Sequence, residues 1–561
     1  SSFRASSTGE ILYLFDAQDQ MVDKLLVPAL QTDISYGRGD DLGLFYYATP
    51  SPGQPNQGES YVGVAQEVSL SLAPGLYDEG LSLELSVSDG SQIYYTTDCT
   101  EPSASSTPYT GPIQLSSTTV VRAVAVKEGY LSPLSTTGTY IIGQSHSVRV
   151  VCLSTDPDNL FSDEKGIYAD GPGYQEEFPH GSPGYGANFW MDWERPVYVE
   201  IFDEDGTTLL SQGAEFKING QYSRALDQKS FAVYARKEYG ESRFNAALFD
   251  DRDYTSYKSF VLRCTAQDYN RARMRDAMMT SLMEGQGVMY QETEVCVLYL
   301  NGEYWGHYNM RERVNKWSIA QWEGVTDETA IDNIDLLKGN GNVAARVLNG
   351  TNEEYMELID FVESHSLKDE ENLKYVTDRV DIINYFDYQI AEIFWVNSDN
   401  GNIKYYKVPG GKWKWILYDL DWGINTGETN GYKRDGFLHV LNENGTGYND
   451  SFNNSLIRGL LENPEMEELF IERCAYYVRE VYTKENIYAA IEELESQMAP
   501  EMEAHYERWP DHGSVQSWQR HVNRLREFAD NRTGYMMQHM KDWFGLSDEK
   551  MTELFGELWQ G

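Results

Sequence analysis

Two aspartates close an apolar run. Residues 415–425 read WILYDLDWGIN. If the run is a strand, Trp413, Trp415, Leu417, Asp419 and Asp421 share one face. A row that starts as core and ends in adjacent carboxylates needs a positive charge between them, because like charges repel and neither is cheap to bury. Upstream, residues 394–407 read FWVNSDNGNIKYYK, with Asp399 and Asn402 in a glycine-containing loop after the apolar helical run YFDYQIAEIFWV. Lys229 stands before the alternating stretch SFAVYAR, behind the turn GQYSR that ends in Arg224. A hairpin turning at Asn301-Gly302, within CVLYLNGEYWGHYNMRERV, leads to Glu312.

These residue types suit more than one chemistry. An Asp and an Asn in a loop, then an Asp at a strand end, can hold a nucleotide's Mg2+, which takes few protein oxygens and fills its other positions with water and phosphate. The order Lys229, Asp399, Asn402, Asp419 is that of a kinase, although neither a GxGxxG loop nor a Walker A loop is present. A calcium loop of EF-hand type fails, because Gly423 and Ile424 stand where an acid or Asn and then Gly are required. A glycosidase could pair Asp399 with Asp419 or Glu312, but it leaves Lys229 and Asn402 without a task.

The whole chain narrows the setting. Its 561 residues exceed one ordinary core and imply about two to four domains. Lys and Arg number 45 against 88 Asp and Glu, a formal charge of -43, which repels nucleic acid and anionic membranes and attracts cations and basic protein segments. An aromatic share of 13% argues for a folded chain rather than a disordered acidic one. No run approaches a membrane span. Five Cys without a CxxC pair exclude a dense disulfide scaffold and a cysteine zinc site. Cys264 and Cys296 lie in SFVLRC and EVCVLYL, two apolar stretches that suggest neighbouring strands, and read as buried thiols.

Four segments follow from composition. Residues 1–56 are short alternating stretches among turn residues. Ser35-Tyr36-Gly37-Arg38 and the run TPSPGQPN resemble the end of a lamin-tail domain, a small β-sandwich. Residues 57–145 resemble the fibronectin-like module at the C-terminal end of chitobiases and hexosaminidases, on Tyr94-Tyr95-Thr96-Thr97-Asp98, Glu101-Pro102, Tyr109, Pro112 and TVVRAVAV, with Cys99 where that family has Gly. Residues 146–545 open with strands (SVRVVCLST, RPVYVEIFD, SFAVYAR) and turn helical, with Tyr355, Leu358, Ile359 and Val362 on one helical face. A tail, 546–561, follows. The fold class expected is α+β multidomain: small β-sandwich modules, then two lobes around a cleft, the second helical.

The 148–545 region resembles the CotH family of spore-coat kinases on LNGEYWGHYNMRERVNK, NIDLLKGNGNV, NIKYYK and GKWKWILYDLDWGIN, in that order. The resemblance implies an atypical protein-kinase-like fold that transfers the ATP γ-phosphate to serine of a protein substrate with Mg2+, Mn2+ or Ca2+. Carried over by position, Lys229 would be the phosphate Lys, joined by Arg224, and Asp399 the catalytic-loop Asp. Asn402 and Asp419 would hold metal with help from Asp421, and the segment near Glu312 would border the adenine pocket. The loop from Asp399 to Asn402, with only Asn400-Gly401 between them, is shorter than the family pattern. The accessory modules imply an extracellular or cell-surface protein with possible glycan association and a basic or serine-rich protein substrate. The rival is a non-catalytic surface or adhesion protein on the same fold.

Overall fold

The computed structural model describes residues 9–176, 183–339, 345–399, 401–424, 430–442 and 453–559. The first eight residues, Asn400, Asn425 and most of the KGNGNV run lie outside the described residues. The N-terminal segment forms a hairpin, Glu10–Phe15 against Met21–Val27, and a small antiparallel sheet of Ser35–Arg38, Leu44–Tyr47 and Ser60–Tyr61.

The next module is a five-stranded sheet in which Thr119–Val126 lies between Gln92–Thr96 and Thr136–Ile142. Its core gathers Leu83, Leu85, Ile93, Val121, Ala123 and Tyr140. Cys99, which takes the place of a family glycine, sits at φ 66°, in the left-handed region where a side chain is costly and glycine is free.

Beside a two-residue hairpin of Phe244–Asn245 with Ser256–Tyr257, the strands of the long C-terminal region begin with β1 (Arg149–Ser154), β2 (Arg195–Phe202), β3 (Thr208–Asn219), β4 (Ser230–Tyr234), β5 (Ser259–Arg263), β6 (Met289–Tyr290), β7 (Thr293–Leu300) and β8 (Glu303–Glu312). After them come β9 (Asp335–Lys338), β10 (Arg346–Asn349), β11 (Lys404–Lys407) and β12 (Lys414–Leu417). Strands β1, β2, β3, β4, β5, β8 and β7 close into a barrel in that spatial order. The β7–β8 turn is two residues, Asn301 and Gly302, at φ 52° and 81°, the positive values a tight hairpin needs. β8 separates β5, which Cys264 directly follows, from β7, which carries Cys296, so the two are not neighbouring strands as their sequences suggested. All five cysteines are buried and free.

The second lobe is not wholly helical. β6, β12, β11, β9 and β10 form a five-stranded sheet beside the barrel. β12 is buried on both faces: Trp413, Trp415 and Leu417 join one core cluster, and Ile416 another. The helices that pack on the lobe include α1 (Arg275–Ser281), α2 (Glu353–Ser364), α3 (Ile382–Trp395), α4 (Pro464–Tyr476), α5 (Lys484–Met498), α6 (Met502–Arg508) and α7 (Val515–Phe544). In α2 the buried residues are Tyr355, Leu358, Ile359 and Val362, the face its helical spacing predicts. No helix among the described residues is long and apolar enough to cross a membrane.

Candidate active site

The two aspartates beyond β12 meet their counter-charge in Arg263, the last residue of β5. Its Nη2 donates to an Asp419 oxygen and to Asp421 Oδ2 at 2.9 Å. The strand period explains why it is there. Phe260 and Leu262 fill the barrel, so Val261 and Arg263 point outward. Arg311 on β8 lies opposite Val261 and shares that outer face. Arg311 and Arg263 both reach Asp276 on α1, at 2.5 Å and 3.7 Å. Asp276 also accepts the Leu420 amide at 2.7 Å, which ties the 419–421 turn to the helix.

Asn402 closes the other side. Its amide nitrogen donates to the second Asp419 oxygen, and its Oδ1 accepts the Tyr418 hydroxyl at 2.9 Å. Asp399 opens the same loop: its carbonyl accepts the Asn402 amide at 3.1 Å, and its own amide donates to Asn397 Oδ1 at 3.2 Å. Lys338 and Tyr418 each feel the charges of both Asp399 and Asp419. Asp399, Asn402, Asp419 and Asp421 are thus assembled from a loop and a strand end.

Burial raises the Asp421 carboxyl, and the neighbouring Asp419 charge raises it further. Burial opposes charge on Asp419 too, but the Arg263 guanidinium outweighs it and holds that carboxyl below its ordinary value. Backbone strain gathers at the same place. Asp419 sits at φ 62°, Thr265 at 71°, Ala266 at 42°, Ile424 at 57° and Val396 at 52°, three of them β-branched residues for which this region is a marked outlier. Such strain persists where surrounding structure holds it, and it clusters at functional sites.

Lys229 is not brought to the acids. It shares a face with Phe231 and Val233, which point into the barrel, whereas Arg263 lies on the outer face. Its Nζ donates to the carbonyls of Arg224 and Leu226 at 2.8 Å and 2.9 Å and lies 4.0 Å from the centre of the Phe189 ring. Burial lowers its pKa to about 8. Arg224 is spent on the carbonyls of Gly220, Trp190 and Met191 and on Asp192. Glu312 is buried in a separate cluster, paired with Arg252 at 2.9 Å and accepting the Tyr254 hydroxyl. The residues expected to grip phosphate and border the base are therefore turned into the barrel or its rim.

Two other cations stand at the acids. Lys338 on β9 and Lys404 on β11 are directly opposite in register. Lys404 Nζ lies 4.0 Å over the Tyr418 ring, and burial, then the Lys338 and Arg313 charges, lower its pKa to about 7. Burial likewise lowers Lys338. Both sit in the NIDLLKGNGNV and NIKYYK segments, and their signal was a lysine repeated beside each motif. Arg263 had a fainter one: a charged residue closing the apolar run SFVLRC.

Asp419, Asp421 and the Asn402 amide supply oxygen donors of the kind hard cations prefer, and a guanidinium already lies between the two carboxylates. Among the described residues no group of three or more His, Cys, Asp or Glu is placed to hold a metal. The arrangement suits a cation that takes part of its coordination from phosphate and water rather than from a protein cage.

The family model described as CotH kinase protein matches residues 216–536, more than half of the chain. That of the chitobiase/beta-hexosaminidase C-terminal domain matches residues 72–137. No curated protein matches the chain.

Proposed function

We propose, since this chain belongs to the CotH kinase protein family, that it is an atypical protein kinase acting on serine of a protein substrate at the Asp399–Asp419 site. The observation that carries the reading is the meeting of the 399–402 loop with the 419–421 turn over Arg263. A divalent cation, Mg2+ or in its place Mn2+ or Ca2+, would neutralise charge on the phosphates of ATP when bound there. Asp419, Asn402 and Asp421 would hold it. Lys338 and Lys404, rather than Lys229, would face the phosphate oxygens. Asp399 would orient the serine hydroxyl and take its proton as the oxygen bonds the γ-phosphorus and the bond to the β-γ bridging oxygen breaks. The acidic surface suits a basic or serine-rich protein substrate, and the accessory modules suit an extracellular or cell-surface setting with glycan contact.

Autophosphorylation with labelled ATP tests the reading. Label should enter the native protein, fall to background with chelator, and be absent from Asp419→Ala. One observation favours a second reading, a non-catalytic surface or adhesion protein: the expected phosphate Lys is withdrawn into the barrel. That reading expects no metal-dependent ATP binding.

A further inference from the structure

We propose that Arg263 holds the divalent cation's position in the unliganded site and gives it up only when cation and polyphosphate arrive together, so that the site takes no free metal. This rests on the kinase reading above. Three carboxylates, Asp276, Asp419 and Asp421, surround one guanidinium that reaches all of them. Arg311 takes Asp276 from the other side. The cluster is thus close to neutral without any metal. A dication entering with Arg263 in place would share two carboxylates with a fixed positive charge at contact distance, in a desolvated pocket where repulsion is poorly screened.

Polyphosphate changes that balance. Lys338 and Lys404 face each other across β9 and β11, and among the described residues each feels the Asp419 charge without a hydrogen bond to it. Two partly buried like charges directly opposite in register, with the Asp399 and Asp419 charges only at longer range, favour an anion between them. Polyphosphate there supplies the oxygens that the protein lacks, since no cage of three acidic, His or Cys ligands exists among the described residues. It also offers the displaced guanidinium a new partner, for which arginine's planar fork is well suited. The backbone after Arg263 is fit for such a movement. Thr265 and Ala266 follow at φ 71° and 42°, so the connection to α1 is held in a strained form that a rearrangement of the strand end can relax.

Equilibrium dialysis of Mn2+, which counts only metal retained with the protein over a protein-free blank, tests this without turnover. In the native protein, Mn2+ alone should bind weakly, and saturating inorganic tripolyphosphate should tighten it about tenfold or more. Arg263→Gln should bind Mn2+ alone about tenfold more tightly than native and lose most of the coupling. Arg263→Lys, which keeps the charge, should exclude free metal as the native protein does. Equal Mn2+ affinity with and without tripolyphosphate in the native protein overturns the proposal, and needs no variant to fold. A folded Arg263→Gln with native metal-alone affinity overturns it as well. If native protein binds Mn2+ with ATP and these two results still fail, only the role of Arg263 is lost. If it binds neither Mn2+-ATP nor Mn2+-tripolyphosphate, the kinase reading falls with it.

Discussion

Asp419 sits at φ 62° with one oxygen against Arg263 and the other against Asn402, while Asp399 opens the loop that ends at Asn402. The two aspartates should therefore fail differently. Asp419→Asn removes an anionic oxygen from a hard cation and should weaken metal-ATP binding strongly. Asp399→Asn should leave ATP binding nearly intact and abolish turnover, because its contact with the hydroxyl matters in the transition state. Calorimetric titration of ATP with Mg2+ against each variant checks this; equal loss of binding in both would reverse the roles. The cations divide in the same way. Lys338→Met and Lys404→Met should each weaken ATP by about tenfold, the scale of one charge-assisted contact. Lys229→Ala should leave ATP affinity unchanged and lower the melting temperature instead, since it strips two carbonyls of their donor and opens a space beside Phe189.

At the scale of elements, the site is a junction of pieces that are each held by their own core. α2 buries Tyr355, Leu358, Ile359 and Val362, and Tyr355 packs on Tyr405 of β11 and on Trp413. Asn384 of α3 accepts the Trp415 amide at 2.6 Å, which locks β12 to the helix that leads into the Asp399 loop. Leu358→Ala, at a fully buried position in α2, should cost about 2–5 kcal/mol of unfolding free energy. Denaturant unfolding measures it. ATP affinity in the folded variant should stay near native, because α2 packs on the Tyr405 face of β11, opposite the face that carries Lys404 and Lys338. A folded Leu358→Ala that loses ATP would show that the helix layer sets the geometry of the site.

At the scale of the molecule, two buried joints among the described residues tie the chitobiase-like module to the barrel and the barrel to the helices. Glu200 on β2 accepts the Thr139 amide at 3.2 Å and the Thr139 hydroxyl, linking the chitobiase-like module to the barrel. Beyond the barrel, His146 and Ser147 bond Glu501 at 2.9 Å and 3.1 Å, and His505 of α6 accepts the His307 amide of β8 at 3.2 Å. Burial raises Glu200 to about 7, and Thr139 only partly offsets it. The folded state therefore keeps this proton over a range where the unfolded chain has released it. Stability from this group is fully present below its unfolded value of about 4.5 and is lost as pH rises toward 7, by about 1.4 kcal/mol for each pH unit between the two values. Glu200→Gln should flatten that part of the pH dependence and raise the melting temperature above pH 7. Scanning calorimetry of both proteins from pH 5 to pH 8 reads the difference, and parallel curves would mean that the joint does not titrate.

Local pattern carried much of this chain. Helical spacing named the buried face of α2, the Asn-Gly pair named the β7–β8 turn, and the unbroken apolar run ending in acids named β12 and the turn beyond it. Those features depend on neighbours a few residues apart, where backbone period alone sets which side chains share a face. The need for a positive charge between Asp419 and Asp421 was also readable, because burying adjacent carboxylates is unfavourable in any fold. Which cation answers it was not. Arg263 lies 156 residues before Asp419, and it reaches the turn because barrel closure puts its strand end there with an odd-numbered face outward. On β4 the register with β5 reverses that parity, Phe231 pairing with Leu262, so the odd-numbered face that carries Lys229 turns inward, although its place in chain order fitted the phosphate role. Lys338 and Lys404 meet only through the pairing of β9 with β11. Contacts between distant segments depend on register and closure, which no short window of sequence contains.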